Sequence, residues 1–135
     1  MIHLAAYFDL TGEPSPKYDE ITVRGTERLL RALRSFEVEQ FAFASTMLVH
    51  APRKPDERIN EDSPLDPKLP YRASKIRTER LIHEQRESIP SVLMHPADVY
   101  DDLCHSTFLA HQIARIYERR IISHAYPGDL ATGWS

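Results

Sequence analysis

Glycine and cysteine are both scarce in this chain of 135 residues. The one cysteine, Cys104, excludes a disulfide within the chain and a cysteine-based zinc cluster, and it is compatible with a reducing compartment. No apolar run approaches the roughly 18 residues of a membrane-spanning helix, and the residues after Met1 lack the pattern of a targeting peptide. We therefore expect a cytoplasmic protein with no membrane partner. The few glycines leave little material for a loop that cradles phosphate groups; they are Gly12, Gly25, Gly128 and Gly133.

Charge of one sign is not in excess either. Lysine and arginine number 17 against 20 aspartates and glutamates, so the net charge is −3, and the two signs are interleaved along the chain. This balance disfavours a nucleic acid partner. A content of 41% hydrophobic and 27% charged residues is typical of a globular domain. The seven histidines show neither an HxxxH nor an HxxEH spacing, so no metal site is expected.

Short apolar segments alternate with amphipathic segments along the chain. The apolar segments predict buried strands over residues 2–6, 40–46 and 91–94, with a further short strand at 121–122. The amphipathic segments predict helices over residues 17–34, 71–87 and 106–118, and a proline-rich stretch predicts a long loop over residues 52–70. This alternation is typical of an α/β fold with a parallel sheet and right-handed crossovers. A site is then expected at the carboxyl ends of the strands.

One pair of residues on the second predicted helix has chemical potential. Tyr71 and Lys75 are four residues apart, so on a helix their side chains project from the same face. A neighbouring cation favours the phenolate form of tyrosine, and such a pair can exchange a proton with a substrate hydroxyl or carbonyl group. Taken alone, a YxxxK pattern is more often a half-buried tyrosine followed by a solvated lysine.

Four further motifs accompany this pair. Together the five resemble the extended short-chain dehydrogenase/reductase family, the NAD-dependent epimerase/dehydratases, and they occur in the order in which that family has them. They are His3-Leu4-Ala5-Ala6, Val23-x-Gly25-Thr26-x-x-Leu29-Leu30, Phe43-Ala44-Ser45-Thr46-x-x-Val49, Tyr71-x-x-x-Lys75 and Pro96-x-x-Val99-Tyr100.

The resemblance implies a catalytic role for three residues. Tyr71 would be the general acid/base, Lys75 would lower its pKa and bind the nicotinamide ribose, and the Thr46 hydroxyl would hold the reacting substrate oxygen. The implied reaction is hydride transfer between a substrate carbon and NAD or NADP, coupled to proton transfer through Tyr71. The implied substrate is a small molecule, a nucleotide sugar or a similar hydroxyl or keto compound.

The resemblance also implies which residues contact the cofactor. The backbone of Leu4, Ala5 and Ala6 would lie along it, with Ser45 close by, and the turn from Pro96 to Val99 would contact the nicotinamide amide. Tyr71 and Lys75 would contact it as well.

The implied fold is part of a Rossmann-like, doubly wound parallel sheet. Residues 1–135 would form a partial NAD(P)-binding domain truncated at both ends, because the family has a Gly-rich phosphate-binding turn ahead of the strand that holds His3. We therefore expect weak or absent cofactor binding and an inactive fragment. The alternative is a catalytically silent binding or oligomerisation module. A homodimer is implied only by the resemblance.

Four positions depart from the family's pattern. Thr22 stands where the family often has Asn, which puts in doubt a polar contact between that helix and the site. His50-Ala51 replaces a Tyr-Gly pair, and His95 replaces an Arg ahead of Pro96. None of these changes removes the proton-transfer pair.

Overall fold

Three short strands and three α-helices make up the regular structure in the computed structural model, which describes residues 1–9, 11–51, 58–85, 87–97, 99, 101–103 and 105–118. The chain divides into two units. Residues 1–51 and 61–97 form the first, and residues 52–60 and 98–135 form the second. The strand predicted at 121–122, Tyr100 and Cys104 lie outside the described residues.

Strands and helices alternate in the first unit, as the sequence predicts. In chain order the elements are β1 (Ile2–His3), α1 (Arg24–Leu33), β2 (Phe41–Ala44), α2 (Pro70–Glu84) and β3 (Ser91–Met94). A π-helical segment, Tyr18–Val23, leads directly into α1, and a 3-10 turn, Met47–Val49, follows β2. The second unit contains α3 (Thr107–Tyr117), whose first turn is capped by the Ser106 side chain.

The three strands form one parallel sheet in the order β1-β2-β3. Ile2 pairs with Ala42 in the first ladder, and Phe41 pairs with Ser91 in the second. Parallel strands joined by helices confirm the predicted α/β fold class. Each of the two helical connections leads to the next strand of the sheet, and both advance in the same direction across the sheet. Two right-handed crossovers of this kind place their helices on the same face of the sheet.

The hydrophobic core lies between that face and the two helices. Phe41 and Phe43 are fully buried on β2, because alternate side chains of a strand point to the same face. Leu30 of α1 and Ile82 of α2 pack in the same cluster, together with Ile89. On the opposite face the side chains are more open, and the exposed ones include Ile2, Val92 and Met94.

The element boundaries differ from the prediction where the chain leaves the sheet. The predicted strand over residues 2–6 pairs only at Ile2–His3, and the predicted strand over residues 40–46 ends at Ala44. In both places the apolar or small-residue run continues beyond the last paired residue. The sequence pattern alone therefore does not show where strand pairing ends. The predicted helix over residues 17–34 is a π-helical segment followed by α1.

Gly25 lies in the first turn of α1. The sequence leaves open whether a neighbouring chain approaches this glycine closely. A Cβ atom added there would meet only the Glu20 carbonyl oxygen, at 3.8 Å, which is an ordinary van der Waals contact. No steric contact with a described residue therefore requires glycine at this position.

We expect Gly25→Ala to raise the free energy of unfolding by about 0.5–1 kcal/mol, because alanine loses less backbone entropy than glycine in a helix. Denaturant unfolding measures the change. The matched control is Ala32→Gly, at an exposed position of the same helix, for which we expect a loss of about 1 kcal/mol. Destabilisation by Gly25→Ala would show that the glycine has a role in packing.

Candidate active site

The carboxyl ends of β2 and β3 are joined by backbone hydrogen bonds. The Ser45 amide donates to the Met94 carbonyl oxygen at 2.8 Å, and the Met47 amide donates to the Pro96 carbonyl oxygen at 3.1 Å. The residues that follow β1 leave the same end of the sheet, because the strands are parallel. The structure therefore brings the predicted site segments 3–7 and 45–49 and the start of 95–100 to one edge of the sheet.

Lys75 reaches this edge from α2. Its ammonium group donates to the Ala44 carbonyl oxygen at 2.7 Å and lies 4.7 Å from the centre of the Phe43 ring. The residue is only 3% exposed. Burial lowers the pKa of Lys75 from 10.5 to about 8, while the charge of Glu79 acts in the opposite direction. A buried cation is unusual, because removing an ammonium group from water is costly unless it is paired with a charged group or binds a ligand.

Tyr71 lies one helical turn before Lys75, and its ring is half-buried. The edge of the ring meets Phe8, with 4.8 Å between the ring centres, and the Lys75 ammonium lies 5.8 Å from the centre of the Tyr71 ring. The Tyr71 hydroxyl makes no hydrogen bond to any residue that the structure describes.

The pKa of Tyr71 is shifted in the direction opposite to the prediction. Burial raises it above its ordinary value, and the neighbouring Tyr18 raises it further. The expectation that Lys75 lowers the pKa of Tyr71 is wrong for this state of the chain. The physical reason is that Lys75 directs its ammonium to the Ala44 carbonyl oxygen, so desolvation of the phenol is the larger effect.

The two hydroxyl residues after β2 are engaged differently. Ser45 is buried and donates a hydrogen bond to Oε1 of Glu79. The Thr46 hydroxyl accepts a hydrogen bond from the Leu48 amide at 3.2 Å and so caps the 3-10 turn. An oxygen that accepts this bond still has its own proton to donate, so Thr46 can bind a substrate oxygen while it caps the turn.

The predicted cofactor contacts lie in both units. Leu4 and Ala5 are exposed beyond the last paired residue of β1, and Ala6 is partly exposed. Pro96 is exposed as well, in the first unit. Val99 belongs to the second unit and is 72% exposed.

A polar link that the family resemblance put in doubt is present. The Thr22 hydroxyl accepts a hydrogen bond from the Tyr7 amide at 3.0 Å, so threonine still connects the π-helical segment to the chain after β1. Thr26 donates to the Thr22 carbonyl oxygen, and its hydroxyl is 3.0 Å from Nε2 of His3. Burial lowers the pKa of His3, and the nearby Lys75 lowers it further.

An ion pair holds the chain ahead of α2. Arg72 and Asp66 are 3.1 Å apart, with both side chains largely buried. The Asp66 amide also donates to the Val49 carbonyl oxygen at 2.8 Å, and His50 forms an antiparallel bridge with Leu65. These contacts fix the start of α2, and hence Tyr71, against the segment that carries Ser45 and Thr46.

Sequence reasoning missed a group of polar side chains beside Ser45. Nε2 of His95 is 3.0 Å from Oε1 of Glu79, and Nδ1 of His95 is 3.3 Å from Nε2 of His50. Nδ1 of His50 is 3.2 Å from the Ser63 carbonyl oxygen. The only sequence signal was that His50 and His95 both depart from the family's pattern.

Two negative findings apply to the part of the chain that the structure describes. Its helices are all too short or too polar to cross a lipid bilayer. Within those same residues, no three His, Cys, Asp or Glu side chains are grouped so that they could hold a metal ion.

The sequence is similar to a known family model and to several known proteins. The sequence model of the NAD dependent epimerase/dehydratase family matches residues 1–131. An uncharacterized UDP-glucose epimerase, YtcB, from Bacillus subtilis is 32% identical over 85 residues, which is 62% of this chain and 26% of that protein. The dTDP-D-glucose 4,6-dehydratase of Dictyostelium discoideum is 29% identical over 114 residues, or 74% of this chain and 26% of that one. The chain thus spans about a quarter of the length of these curated relatives.

Solved structures with the same fold include two complexes with nicotinamide cofactors. UDP-glucuronic acid 4-epimerase from Bacillus cereus, in complex with UDP-glucuronic acid and NAD, superposes with a TM-score of 0.67 at 23% identity, over 84% of this chain and 38% of that chain. RMD from Pseudomonas aeruginosa, complexed with NADPH, gives a TM-score of 0.69 at 23% identity, over 87% and 43%. These similarities agree with the Rossmann-like sheet predicted from the sequence.

Proposed function

Because the chain belongs to the NAD-dependent epimerase/dehydratase family, we propose that it carries the proton-transfer part of an NAD(P)-dependent nucleotide-sugar epimerase or dehydratase. The observation that carries this proposal is the buried ammonium of Lys75 at the carboxyl end of β2, one helical turn from Tyr71, whose hydroxyl makes no hydrogen bond to a described residue. A lysine with only a structural role would place its ammonium group in water. The ammonium group of Lys75 is instead buried, with a lowered pKa, at the place where a ligand is expected.

The proposed substrate class follows from the relatives. The names of the two sequence relatives refer to UDP-glucose and dTDP-D-glucose, and the Bacillus cereus epimerase was solved with UDP-glucuronic acid. All three molecules are nucleoside diphosphate sugars with hydroxyl groups on the ring. A hydroxyl or keto oxygen of such a sugar is the partner that the Tyr71 and Thr46 hydroxyls would bind.

The residues at the sheet edge fit the nicotinamide side of NAD(P). Beyond β1, Leu4 and the small side chains of Ala5 and Ala6 leave backbone that a flat ligand can approach closely. Lys75 donates one N–H to the Ala44 carbonyl oxygen and has two further N–H donors, which suit ribose hydroxyls. Bound NAD(P) would supply the hydride acceptor and donor.

The protonation of Tyr71 sets what the chain itself can do. Because its pKa is raised, Tyr71 holds its proton at neutral pH, so its hydroxyl can donate to a developing alkoxide or to a keto oxygen. Thr46 would hold the same substrate oxygen from the β2 side. To act as a base, Tyr71 needs its phenolate stabilised, and the closest described ammonium group that could do so is that of Lys75.

The second candidate function, a catalytically silent binding or oligomerisation module, is supported by a different observation. Ile2, Val92 and Met94 are exposed on the sheet face opposite α1 and α2. Exposed apolar sheet favours association. This candidate predicts a folded protein that associates but turns over no nucleotide sugar.

The assay that tests the proposal offers the purified protein several sugars with saturating NAD or NADP. UDP-glucose, UDP-glucuronic acid and dTDP-D-glucose are the substrates to test, and unconjugated glucose is the control. In a chain restored to the full length of its relatives we expect an epimer or a dehydrated keto sugar from at least one nucleotide sugar, identified by chromatography and NMR, and none from glucose. The 135-residue chain itself should give no product. A folded full-length chain without product from any of these sugars would favour the silent module.

We also expect the 135-residue chain to bind NAD(P) weakly. Gly12, the described glycine with positive φ (73°), lies in the loop after β1, and Gly25 lies within α1. Neither forms a glycine-rich turn that seats a pyrophosphate on a helix N-terminus. Calorimetry tests this expectation, and micromolar affinity for NAD or NADP would contradict it.

A further inference from the structure

A continuous chain of hydrogen bonds runs from Ser45 to the loop ahead of α2. Ser45 donates to Glu79, Glu79 contacts His95, His95 contacts His50, and His50 contacts the Ser63 carbonyl oxygen. Ser45, Glu79 and His50 are buried, and the His95 side chain is 26% exposed. We call His50, His95 and Glu79 the histidine-glutamate trio.

The chemistry of the donors fixes how many protons the trio holds. A carbonyl oxygen can only accept, so Nδ1 of His50 must carry a proton toward Ser63. The contact between the two imidazoles needs one more proton, on either nitrogen. The contact between His95 and Glu79 needs a third, on the ring or on the carboxyl group.

Three protons are one more than two neutral histidines and a carboxylate possess. The trio therefore has net charge zero when all three hydrogen bonds are made. The extra proton can reside on His50, on His95 or on Glu79, and these arrangements interconvert when protons shift along existing hydrogen bonds. No heavy atom needs to move.

We propose that the trio stores one shared proton and supplies it to the Ser45 hydroxyl at the edge of the candidate active site. The stored proton rests on these hydrogen bonds, whereas its use in catalysis rests on the proposed function. It would give the site a second proton source, distinct from Tyr71 and Lys75.

In the proposed transfer, two protons move in sequence. Ser45 gives its hydroxyl proton to an oxyanion bound at the site, and protonated Glu79 replaces that proton on Oγ of Ser45. The trio then has a net charge of −1 until His95, its most exposed member, takes a proton from water. No oxidant, reductant or other co-reactant is needed.

The charges around the trio are compatible with a neutral unit. Lys75 lies one turn before Glu79 on α2, and its ammonium is directed to the Ala44 carbonyl oxygen. Asp66, next to the residue that bridges to His50, is paired with Arg72. Of these described charged groups, Lys75 is thus engaged with a backbone carbonyl oxygen and Asp66 is neutralised by Arg72.

Nitrogen NMR of histidine side chains tests the stored proton without any enzyme assay. In the ¹⁵N-labelled protein we expect Nδ1 of His50 to be protonated. We also expect both rings to lose the shared proton in one joint step as the pH is raised. His83, exposed on α2, is the internal reference.

Glu79→Gln removes the carboxylate that the shared proton requires. We expect both rings to be neutral in this variant and the joint step to be lost. Glu84→Gln, at an exposed position of the same helix, should leave the joint step unchanged. Separate titration of His50 and His95, or a joint step that survives Glu79→Gln, would overturn the proposal. If Glu79→Gln fails to fold, His50→Gln gives the same test on His95.

The catalytic use of the proton is read from the pH profile. In a preparation with turnover, Glu79→Gln should remove the limb of the rate profile that coincides with the joint step, and Glu84→Gln should keep it. An unchanged profile would overturn the supply role. If the wild type shows the joint step but no turnover with any nucleotide sugar, the proposed function fails and the stored proton stands.

Discussion

In a chain restored to full length, Tyr71→Phe should reduce turnover of a nucleotide sugar by about 10³-fold, within the range typical for removal of a general acid/base. The substitution removes only the hydroxyl oxygen and leaves the ring that packs edge-on against Phe8. NAD(P) affinity should change by less than about twofold, because in the proposal Lys75 rather than the phenol holds the ribose. Steady-state kinetics and calorimetry measure the two effects separately.

The control for this substitution is Tyr117→Phe. Tyr117 lies at the end of α3 and is 88% exposed, so loss of its hydroxyl should leave turnover unchanged. If Tyr71→Phe turned over at the wild-type rate, Tyr71 would not be the proton donor. The acid/base role would then have to be reassigned, with Ser45 as the first candidate.

Replacement of Lys75 by Met should change how stability depends on pH. The folded chain holds Lys75 with a pKa of about 8 against 10.5 for the free side chain. Between these values the unfolded state binds more protons, so the free energy of unfolding of the wild type should rise as the pH increases from about 8 to 10. The full shift corresponds to about 3 kcal/mol. The free energy of unfolding is lower by this amount at pH values where Lys75 is charged in the folded state.

Lys75→Met should therefore be at least as stable as the wild type at pH 7 and should lack the rise between pH 8 and 10. The hydrogen bond to Ala44 is lost, which costs about 1 kcal/mol and reduces the net gain to roughly 2 kcal/mol. Lys68→Met, at an exposed position, should keep the wild-type pH dependence. If Lys75→Met were strongly destabilising at every pH, the buried ammonium would be a structural element rather than a group held at a cost for function.

The parallel sheet was predictable because its signals are local. Segments such as Phe41–Ala44 and Ser91–Met94 are short and apolar and lie between amphipathic stretches, and few folds accommodate that order. The ends of the strands were less predictable. Leu4 and Ser45 continue an apolar or small-residue run, and only the neighbouring strand decides where pairing stops.

The candidate site could be predicted where its residues share one helix, as Tyr71 and Lys75 do. The trio could not, because His50, Glu79 and His95 come from three segments whose approach depends on the whole packing of the first unit. The hydrogen-bond donors and acceptors of the trio can be assigned only from the three-dimensional positions of the ring nitrogens of His50 and His95.

The shifted pKa of Tyr71 was mispredicted for a physical reason as well. Sequence spacing places Lys75 on the same face, but it does not show that the ammonium has a backbone acceptor at Ala44. It also does not show how far burial of the phenol outweighs a neighbouring charge. The sequence spacing of two residues predicts that their side chains are close. The pKa of one of them also depends on its burial and on the other groups that interact with its neighbour.

The π-helical segment Tyr18–Val23 has a consequence for sequence alignment. Its wider turn accommodates about one more residue than an α-helix does over the same rise. A homologue with a regular α-helix here would align with a one-residue gap inside the helix rather than in a loop. Deletion of a residue from this segment would rotate Thr22 away from the Tyr7 amide, so the gap position identifies which homologues retain that link.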